Sequence, residues 1–489
     1  MVKPNGILSA LAAIPGLVYV AISAVMVAAM ACRVGTIYSF NVNEGWNAFW
    51  ASAAWNGANL YPPVGDLKLN NYPPLWFYLT GALGHLVGDD IRAGRAIAGA
   101  ALLLNGAVIS LIAREIIGPG KSCWLAGAAF VAIFGLFYPE YAAADDPQVA
   151  ASLLMNIALL LVVRRIGETS SSVFYAGVVL LMLVAGLIKH NIFGVPLSLA
   201  LFFLLYRKPR ALIRLIGLSV VGGAVACAGL YLAYGKGVFT SLLLPRAYHI
   251  DVAWEQTRTE MARYGLLLAV IPFLATRPDL KSRLLLIYAT VSLVQGAVLA
   301  GGYDVDVNVF FDLLFCISVG IGVMADAALQ FIRSEGRSWA SRWTAVACWI
   351  SIALLPPLLE MPSARQQLGD AFAAVRDTSY EAELGYIRSS PAGRVVCEDL
   401  AYCYWAGRPL SLDLNTLRIV VWSNPEVENE VVKRIERCDY ALILLKDDWT
   451  DRVDGPLTDR IRDTLVSRYE QVRATAFGLY WRPRCGSGG

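Results

Sequence analysis

Residues 7–32 read ILSALAAIPGLVYVAISAVMVAAMAC, and none of these positions carries a charge. A run this long and apolar exceeds the h-region of a cleaved signal peptide and matches the roughly 20 residues that a helix needs to cross a bilayer. Lys3 is the only charge before it, so we read an uncleaved first span with its amino end in the cytoplasm. The same pattern recurs near residues 93–117, 123–142, 149–163, 173–188, 192–206, 212–234, 264–275, 284–300, 309–324 and 343–355, which makes about eleven spans. Composition agrees. With 489 residues, 57% of them hydrophobic and only 16% charged, and a mean hydropathy of +0.54, the chain has more apolar surface than one water-soluble core can hide. A net charge of +3 without a basic face speaks against nucleic acid as a partner and leaves the lipid bilayer as the solvent.

Alternating these spans across the membrane sorts the charges by sign. Arg114, Lys121, Arg164, Arg165, Arg207, Lys208, Arg210, Arg277, Lys281, Arg283, Arg333, Arg337 and Arg342 fall on one side, which the positive-inside rule makes cytoplasmic. Glu44, Asp66, Asp89, Asp90, Asp145, Asp146, Asp304 and Asp306 fall on the other, with Asp312 just inside the next span. An odd number of spans also delivers the carboxyl-terminal segment to the outer side.

Residues 33–91 form a large outer loop in this reading. Within it, residues 72–87 are apolar but short and open on Pro73 and Pro74, which suggests a helix or hairpin dipping in from outside. Trp46, Trp50, Trp55, Tyr61, Tyr72, Trp76 and Tyr78 suit the headgroup level, so most of them read as interfacial anchors. The prolines at 356 and 357 end the membrane pattern. We therefore divide the chain into a membrane domain, residues 1–356, and an outer α/β domain, residues 357–489. Strands are expected at 393–400, 440–445 and 476–481, and helices at 424–437 and 457–469. Four of the nine cysteines, Cys397, Cys403, Cys438 and Cys485, lie in this outer domain. There an oxidising compartment permits one or two disulfides of open connectivity.

Ionisable groups at the ends of membrane helices cost free energy to desolvate, so a cluster of them points to function. Glu44, Asp145, Asp146, Lys189, His190, Asp304 and Asp306 all meet on the outer face, as do His85 and His249. Carboxylates beside cations suit a sugar phosphate: an acid takes the proton of an attacking hydroxyl while Lys and Arg neutralise the departing phosphate. The bland readings are solvated loop charges for the aspartates, a helix-dipole carboxylate for Glu44, and a snorkelling lysine for Lys189.

The order and sidedness of Asn43-Glu44-Gly45-Trp46-Asn47, Asn71-Tyr72-Pro73-Pro74-Leu75, Asp145-Asp146-Pro147 and Lys189-His190-Asn191 resemble those of the GT-C membrane glycosyltransferases. The bacterial branch related to protein mannosyltransferases and to the aminoarabinose and galacturonic acid transferases of lipid A is the most similar. Asn308 to Asp312, entering a late span, and the outer α/β domain extend the resemblance over nearly the whole chain. It implies a multi-pass protein of the bacterial inner membrane, with the carboxyl-terminal domain periplasmic. The implied reaction is inverting transfer of a sugar from a polyprenyl-phosphate donor to an envelope acceptor, whether lipid A, another glycan or a protein.

By the same resemblance Glu44 is the general base. Family members usually carry an acidic pair where this chain has Asn43-Glu44, and Asn43 can position a hydroxyl but cannot accept its proton. Asp145 or Asp146 then shapes the acceptor side, Lys189 and His190 face the lipid phosphate, Arg246 and His249 are further phosphate candidates, and Tyr72 lines the donor groove. A divalent metal near Glu44 and Asp145 is left open, since hard cations prefer carboxylate oxygens, although no spacing in the sequence establishes one. The alternative class is a transporter or flippase of a lipid-linked sugar, which would keep ionisable groups at mid-membrane and show an internal repeat. The sequence has neither feature.

Overall fold

A computed structural model describes residues 4–168, 171–421, 424–446 and 458–485. Most of the chain is helical. Six helices are long and apolar enough to cross a membrane: Gly6–Gly35, Asp90–Ile117, Pro209–Tyr234, Leu280–Leu299, Val307–Arg333 and Trp339–Ala374. Shorter apolar helices join them at Leu75–Val87, Lys121–Phe137, Gln148–Arg164, Ser172–Ile188 and Gly194–Leu205. Side-chain caps fix several starts. Asp89 accepts the Arg92 N–H, Ser171 that of Phe174, Asp279 that of Ser282 and Ser338 that of Ser341, each satisfying a donor that the helix itself leaves open.

Two local expectations change and a third is resolved. Residues 264–275 do not form one continuous helix. They are a 3-10 turn, Gly265–Ala269, followed by a six-residue helix, Val270–Ala275. Residues 72–87 contain a regular helix, Leu75–Val87, which at 1.5 Å per residue is about 20 Å long and too short to cross the hydrocarbon. It lies against the helix Asn43–Trp55. Pro356, Pro357 and Pro362 sit inside the helix Trp339–Ala374 rather than ending it. That helix is about 54 Å long by the same rise, well beyond a hydrocarbon core of about 30 Å, so the composition change at Pro356 falls in the middle of a helix.

The outer aromatics are mostly inside the protein. Trp46, Trp50, Tyr61 and Trp76 are buried, and only Trp55 and Tyr78 keep the exposure that an interfacial anchor needs. Their shared environment explains the difference. Trp46 meets Trp50, Tyr72 and Phe77 edge to face, so these rings form a core for the outer loop.

After the long helix the chain builds a four-stranded sheet in the order β1-β2-β4-β3: β1 Arg394–Cys397, β2 Tyr440–Leu445, β3 Tyr469–Thr475 and β4 Gly478–Pro483. β1 and β2 are parallel, with Val396 opposite Ile443. β4 runs antiparallel to both β2 and β3. The expected strands at 393–400, 440–445 and 476–481 correspond to β1, β2 and β4, and the expected helix at 424–437 is Pro425–Glu436. The last expected helix spans Asp459–Arg468, and residue 457 lies outside the described residues. Strand β3 and the helices Ser379–Arg388, Leu400–Trp405 and Leu414–Val421 are additions. Cys397 pairs with Cys403, and Cys438 with Cys485.

This domain is interlocked with the outer loop. Leu67 and Leu69 are buried in its core beside Val396, Leu412 and Leu417, and the Asp413 N–H bonds the Leu67 carbonyl at 3.2 Å. The helix Leu400–Trp405 lies on Asn43–Trp55 so closely that a Cβ on Gly45 would overlap the backbone at Leu400 and Ala401. Gly45→Ala is therefore expected to destabilise the docked domain by about 1–3 kcal/mol or more, because backbone cannot yield as a flexible side chain does. Limited proteolysis and thermal unfolding should both register the loss. Wild-type resistance in both would show that the contact is dispensable.

Candidate functional site

The helix Asn43–Trp55 carries Glu44 in its first turn and presents it, fully buried, to Arg95 of the helix Asp90–Ile117. Arg95 Nε and Nη2 donate to Glu44 Oε1 and Oε2 at 2.7 and 2.6 Å. Its other N–H groups close the preceding chain. Nη1 donates to the carbonyls of Arg33 at 2.8 Å and Thr36 at 2.7 Å, and Nη2 to that of Tyr38 at 2.5 Å. All five donors of the guanidinium are thus used. Glu44 is equally occupied: Oε2 also accepts the Phe40 N–H at 3.0 Å, and Oε1 the Asp145 N–H at 3.4 Å.

Asp145 and Asp146 lie in the turn that joins the helices Lys121–Phe137 and Gln148–Arg164, where Ala143 takes a left-handed φ of 55°. Asn47 Nδ2 donates to the Asp145 carbonyl at 2.6 Å, and Trp76 Nε1 to Asp145 Oδ1 at 3.1 Å. Gly94 leaves the space that this carboxylate fills, since a Cβ there would overlap it. Asp146 Oδ1 accepts the Gln148 N–H at 2.8 Å. The second oxygen of each aspartate, Oδ2, is buried with no hydrogen-bond partner among the described residues. Burial first, and the charge of Glu44 second, hold the Asp145 carboxyl well above the ordinary carboxylate range.

A cationic group stands at the same end of the bundle. Lys189 caps the helix Ser172–Ile188 and is only 2% exposed, so it is not a snorkelling side chain. Its Nζ donates to the Tyr72 hydroxyl at 2.8 Å and sits 4.0 Å from that ring's centre. Tyr72 is held in turn. Its N–H bonds Asn70 Oδ1 at 2.9 Å, and its carbonyl accepts the Tyr61 hydroxyl at 2.9 Å. His190 follows Lys189, and burial together with the Lys189 and Arg246 charges pushes it down to about 4, so it is neutral at physiological pH. Arg246 Nη1 donates to the carbonyls of Tyr303 and Asp304, both at 3.1 Å, and the Tyr141 hydroxyl bonds Asp306 Oδ2 at 2.6 Å.

The other expected residues are more peripheral. Asn43 opens its helix with its N–H on Asn41 Oδ1. His249 is exposed and contributes a backbone N–H to the Gly301 carbonyl at 2.8 Å. His85 stacks on Trp55. The residues near Glu44 do not make a metal-ligand set. Arg95 occupies both Glu44 oxygens, and no group of three or more His, Cys, Asp or Glu that could hold a metal ion occurs among the described residues. Arg95 was overlooked in the sequence although it carried a signal: it is a charge inside an apolar run, which by default marks a functional or paired site. Trp76 carried none, because an aromatic has too many uses, and Asn47 entered only as part of the quoted motif, with no role of its own.

Removing one partner of a buried ion pair leaves the other charged and unpaired, at a cost of about 3–5 kcal/mol. Arg95→Met additionally leaves three carbonyls without their donors, so we expect a loss at the upper end of that range, measured as thermal unfolding in detergent. A loss below about 1 kcal/mol would mean that water replaces the guanidinium.

No family model matches the chain, and no curated protein matches it. Solved structures do. ArnT from Cupriavidus metallidurans in the apo state is 13% identical, with a TM-score of 0.61 over 95% of this chain and 97% of that one. The same protein bound to undecaprenyl phosphate is 13% identical, with a TM-score of 0.60 over 97% and 98%. The oligosaccharyltransferase of Archaeoglobus fulgidus is 11% identical, with a TM-score of 0.54 over 86% of this chain and 69% of that one. The similarity runs through both the helical bundle and the α/β domain, and it establishes that this chain has the GT-C fold.

Proposed function

We propose that the protein transfers a sugar from a polyprenyl-phosphate carrier to an acceptor of the bacterial envelope, with inversion at the anomeric carbon. One observation carries the reading: buried carboxylates with unengaged oxygens and a buried lysine occupy the same end of the bundle. Asp146 is near enough to Lys189 for their charges to attract. The fold supports it, since ArnT with this fold was solved with undecaprenyl phosphate bound.

In a single displacement the acceptor hydroxyl oxygen attacks the anomeric carbon while the bond from that carbon to the phosphate oxygen breaks. The hydroxyl proton goes to a carboxylate, and the phosphate leaves with the bonding electrons. We assign the proton to Asp145. Glu44 already accepts four N–H bonds and has no lone pair to offer, whereas Asp145 Oδ2 is unengaged. Glu44 becomes a positioning group, which fixes Asp145 through its backbone N–H. Lys189 and Arg246 meet the charge that develops on the phosphate, and Tyr72 orients Lys189. The acceptor is lipid A, another glycan or a protein. About eleven segments cross the cytoplasmic membrane in this reading, with the amino terminus cytoplasmic and the α/β domain periplasmic.

Sugar transfer from radiolabelled polyprenyl-phosphate sugars to an envelope extract tests the assignment with purified protein. Asp145→Asn should fold normally and lose about 10²–10⁴-fold in rate. Near wild-type turnover would move the base elsewhere. Because the carboxyl of Asp145 is raised and the base form is the ionised one, kcat/KM should rise with pH through a midpoint above the usual carboxylate value of about 4. A profile flat from pH 4 upward would contradict a raised base. The topology has its own check: alkaline phosphatase fused after Cys485 should be active, and a stable but inactive fusion would reverse the orientation.

A further inference from the structure

The helix Leu414–Val421 of the α/β domain places Arg418 against the loop that carries Asp304, more than a hundred residues earlier in the chain. Arg418 Nη2 donates to Asp304 Oδ1. The backbone carbonyl of the same aspartate takes Arg246 Nη1 at 3.1 Å, so Asp304 sits between two guanidinium groups. Asp304 reaches this position through a left-handed φ of 62°, within a loop tied to residues 247–249. The Tyr303 N–H bonds the Ala247 carbonyl, and the His249 N–H bonds the Gly301 carbonyl, both at 2.8 Å.

Asp146 attracts Lys189 from a distance, but direct ion pairs are fewer than the cations. Arg246 is near enough to Arg418 and to Lys189 to disfavour the charge of each. Among the described residues neither Arg246 nor Lys189 has a carboxylate within 4 Å of its nitrogens, since Arg246 bonds backbone carbonyls and Lys189 a phenol. Three cations from three distant parts of the sequence thus share one directly paired carboxylate. Arg418 is also incompletely used: its side chain is 33% exposed, and its Nε is buried without a partner among the described residues. Nε and Nη2 form the edge with which a guanidinium binds an oxyanion in a fork, and Asp304 takes only the Nη2 half of it, so the Nε half is unused.

We propose that Arg418 is a ligand for the phosphate of the lipid-linked donor, so that the α/β domain itself supplies part of the donor site. Asp304 orients the guanidinium through Nη2 and competes with the phosphate for that edge, while Nε, with Arg246 and Lys189, takes the phosphate oxygens. This rests on the lipid-phosphate reading above and adds to it a residue that lies outside the membrane bundle.

The test is the affinity of the full-length protein in nanodiscs for a polyprenyl phosphate, with the uncharged polyprenol as control. Wild type, Arg418→Gln and Asp304→Asn are compared, together with their thermal unfolding. Arg418→Gln should weaken binding of the phosphate about tenfold and leave polyprenol unaffected. Asp304→Asn removes the carboxylate that competes with phosphate for the guanidinium, so it should tighten binding severalfold even while it lowers thermal stability. Opposite signs for the two variants establish the ligand. Equal weakening by both would make the pair purely structural and overturn the proposal, as would unchanged affinity in Arg418→Gln. Displacement of the lipid by inorganic phosphate at matched concentration would assign the cluster to a free anion instead. If wild type binds polyprenyl phosphate no better than polyprenol, the lipid-phosphate reading itself fails, which is a different result from a silent Arg418.

Discussion

The ion pair between Glu44 and Arg95 is the constraint on which the outer half of the molecule depends. Both side chains are wholly removed from solvent, where an unpaired charge would be strongly unfavourable, and between them they use nine hydrogen-bonding positions. These bonds reach in three directions. Arg95 gathers the chain that leaves the first membrane helix, through the carbonyls of Arg33, Thr36 and Tyr38. Glu44 orders the turn at Phe40 and holds the backbone of Asp145. The rings of Phe40 and Trp405 cover the guanidinium, Phe40 from the loop and Trp405 from the α/β domain. Such a pair contributes less to net stability than to uniqueness. Any rearrangement of the loop would leave several buried donors and acceptors unmatched at once.

The same pair shows why the base expected from the sequence and the base proposed from the geometry differ. A carboxylate in the first outer loop of a membrane protein reads as chemically active because desolvation is expensive and a cluster of acids lies nearby. What the sequence does not show is how many donors will surround it. Four N–H groups converge on Glu44, none from its own helix: three from Arg95 and Asp145 and one from Phe40. The neighbouring Asp145 has a carbonyl, one oxygen and a backbone N–H engaged, yet keeps its last oxygen unengaged. Residue type was therefore legible, but the number of donors around each acid was not.

The fold was legible to a similar depth. Hydropathy alone located the long helices, because in a bilayer a helix must satisfy its backbone internally and present an apolar surface all round. The short pieces gave way first. Residues 264–275 are apolar for the length of a weak span but fold as a 3-10 turn and a brief helix, and the prolines at 356 and 357 read as a stop in the sequence while the helix runs on through them. Each proline removes its own N–H bond and crowds the carbonyl four residues before it, yet a membrane helix supported by its neighbours can continue past them. In the α/β domain, β2 was plain from its unbroken apolar run, whereas β3, YEQVRAT, is an edge strand whose exposed polar residues hide its period. The aromatics of the outer loop misled for another reason. An amphipathic ring suits a membrane interface and a protein interior equally, and only the presence of an α/β domain to cover the loop decides between them.

That covering domain explains the contrast between the two clusters. Trp46 Nε1 bonds Asp413 at 2.8 Å, Trp405 Nε1 bonds Asp89 at 2.9 Å, and the Tyr404 hydroxyl bonds the Asp90 N–H at 2.9 Å and its carboxylate at 3.1 Å. Residues more than three hundred positions apart thus close over the first outer loop, and the acids beneath it are dry. Dryness holds the Asp145 carboxyl above the ordinary carboxylate range, and it strengthens every charge interaction around it. Arg246, Asp304 and Arg418 sit at the margin of the same cover and remain partly accessible. A phosphate needs its charge met but must still enter and leave, so partial exposure would suit the proposed phosphate ligand as full burial would suit the proposed base. One domain, by covering the loop unevenly, sets both conditions.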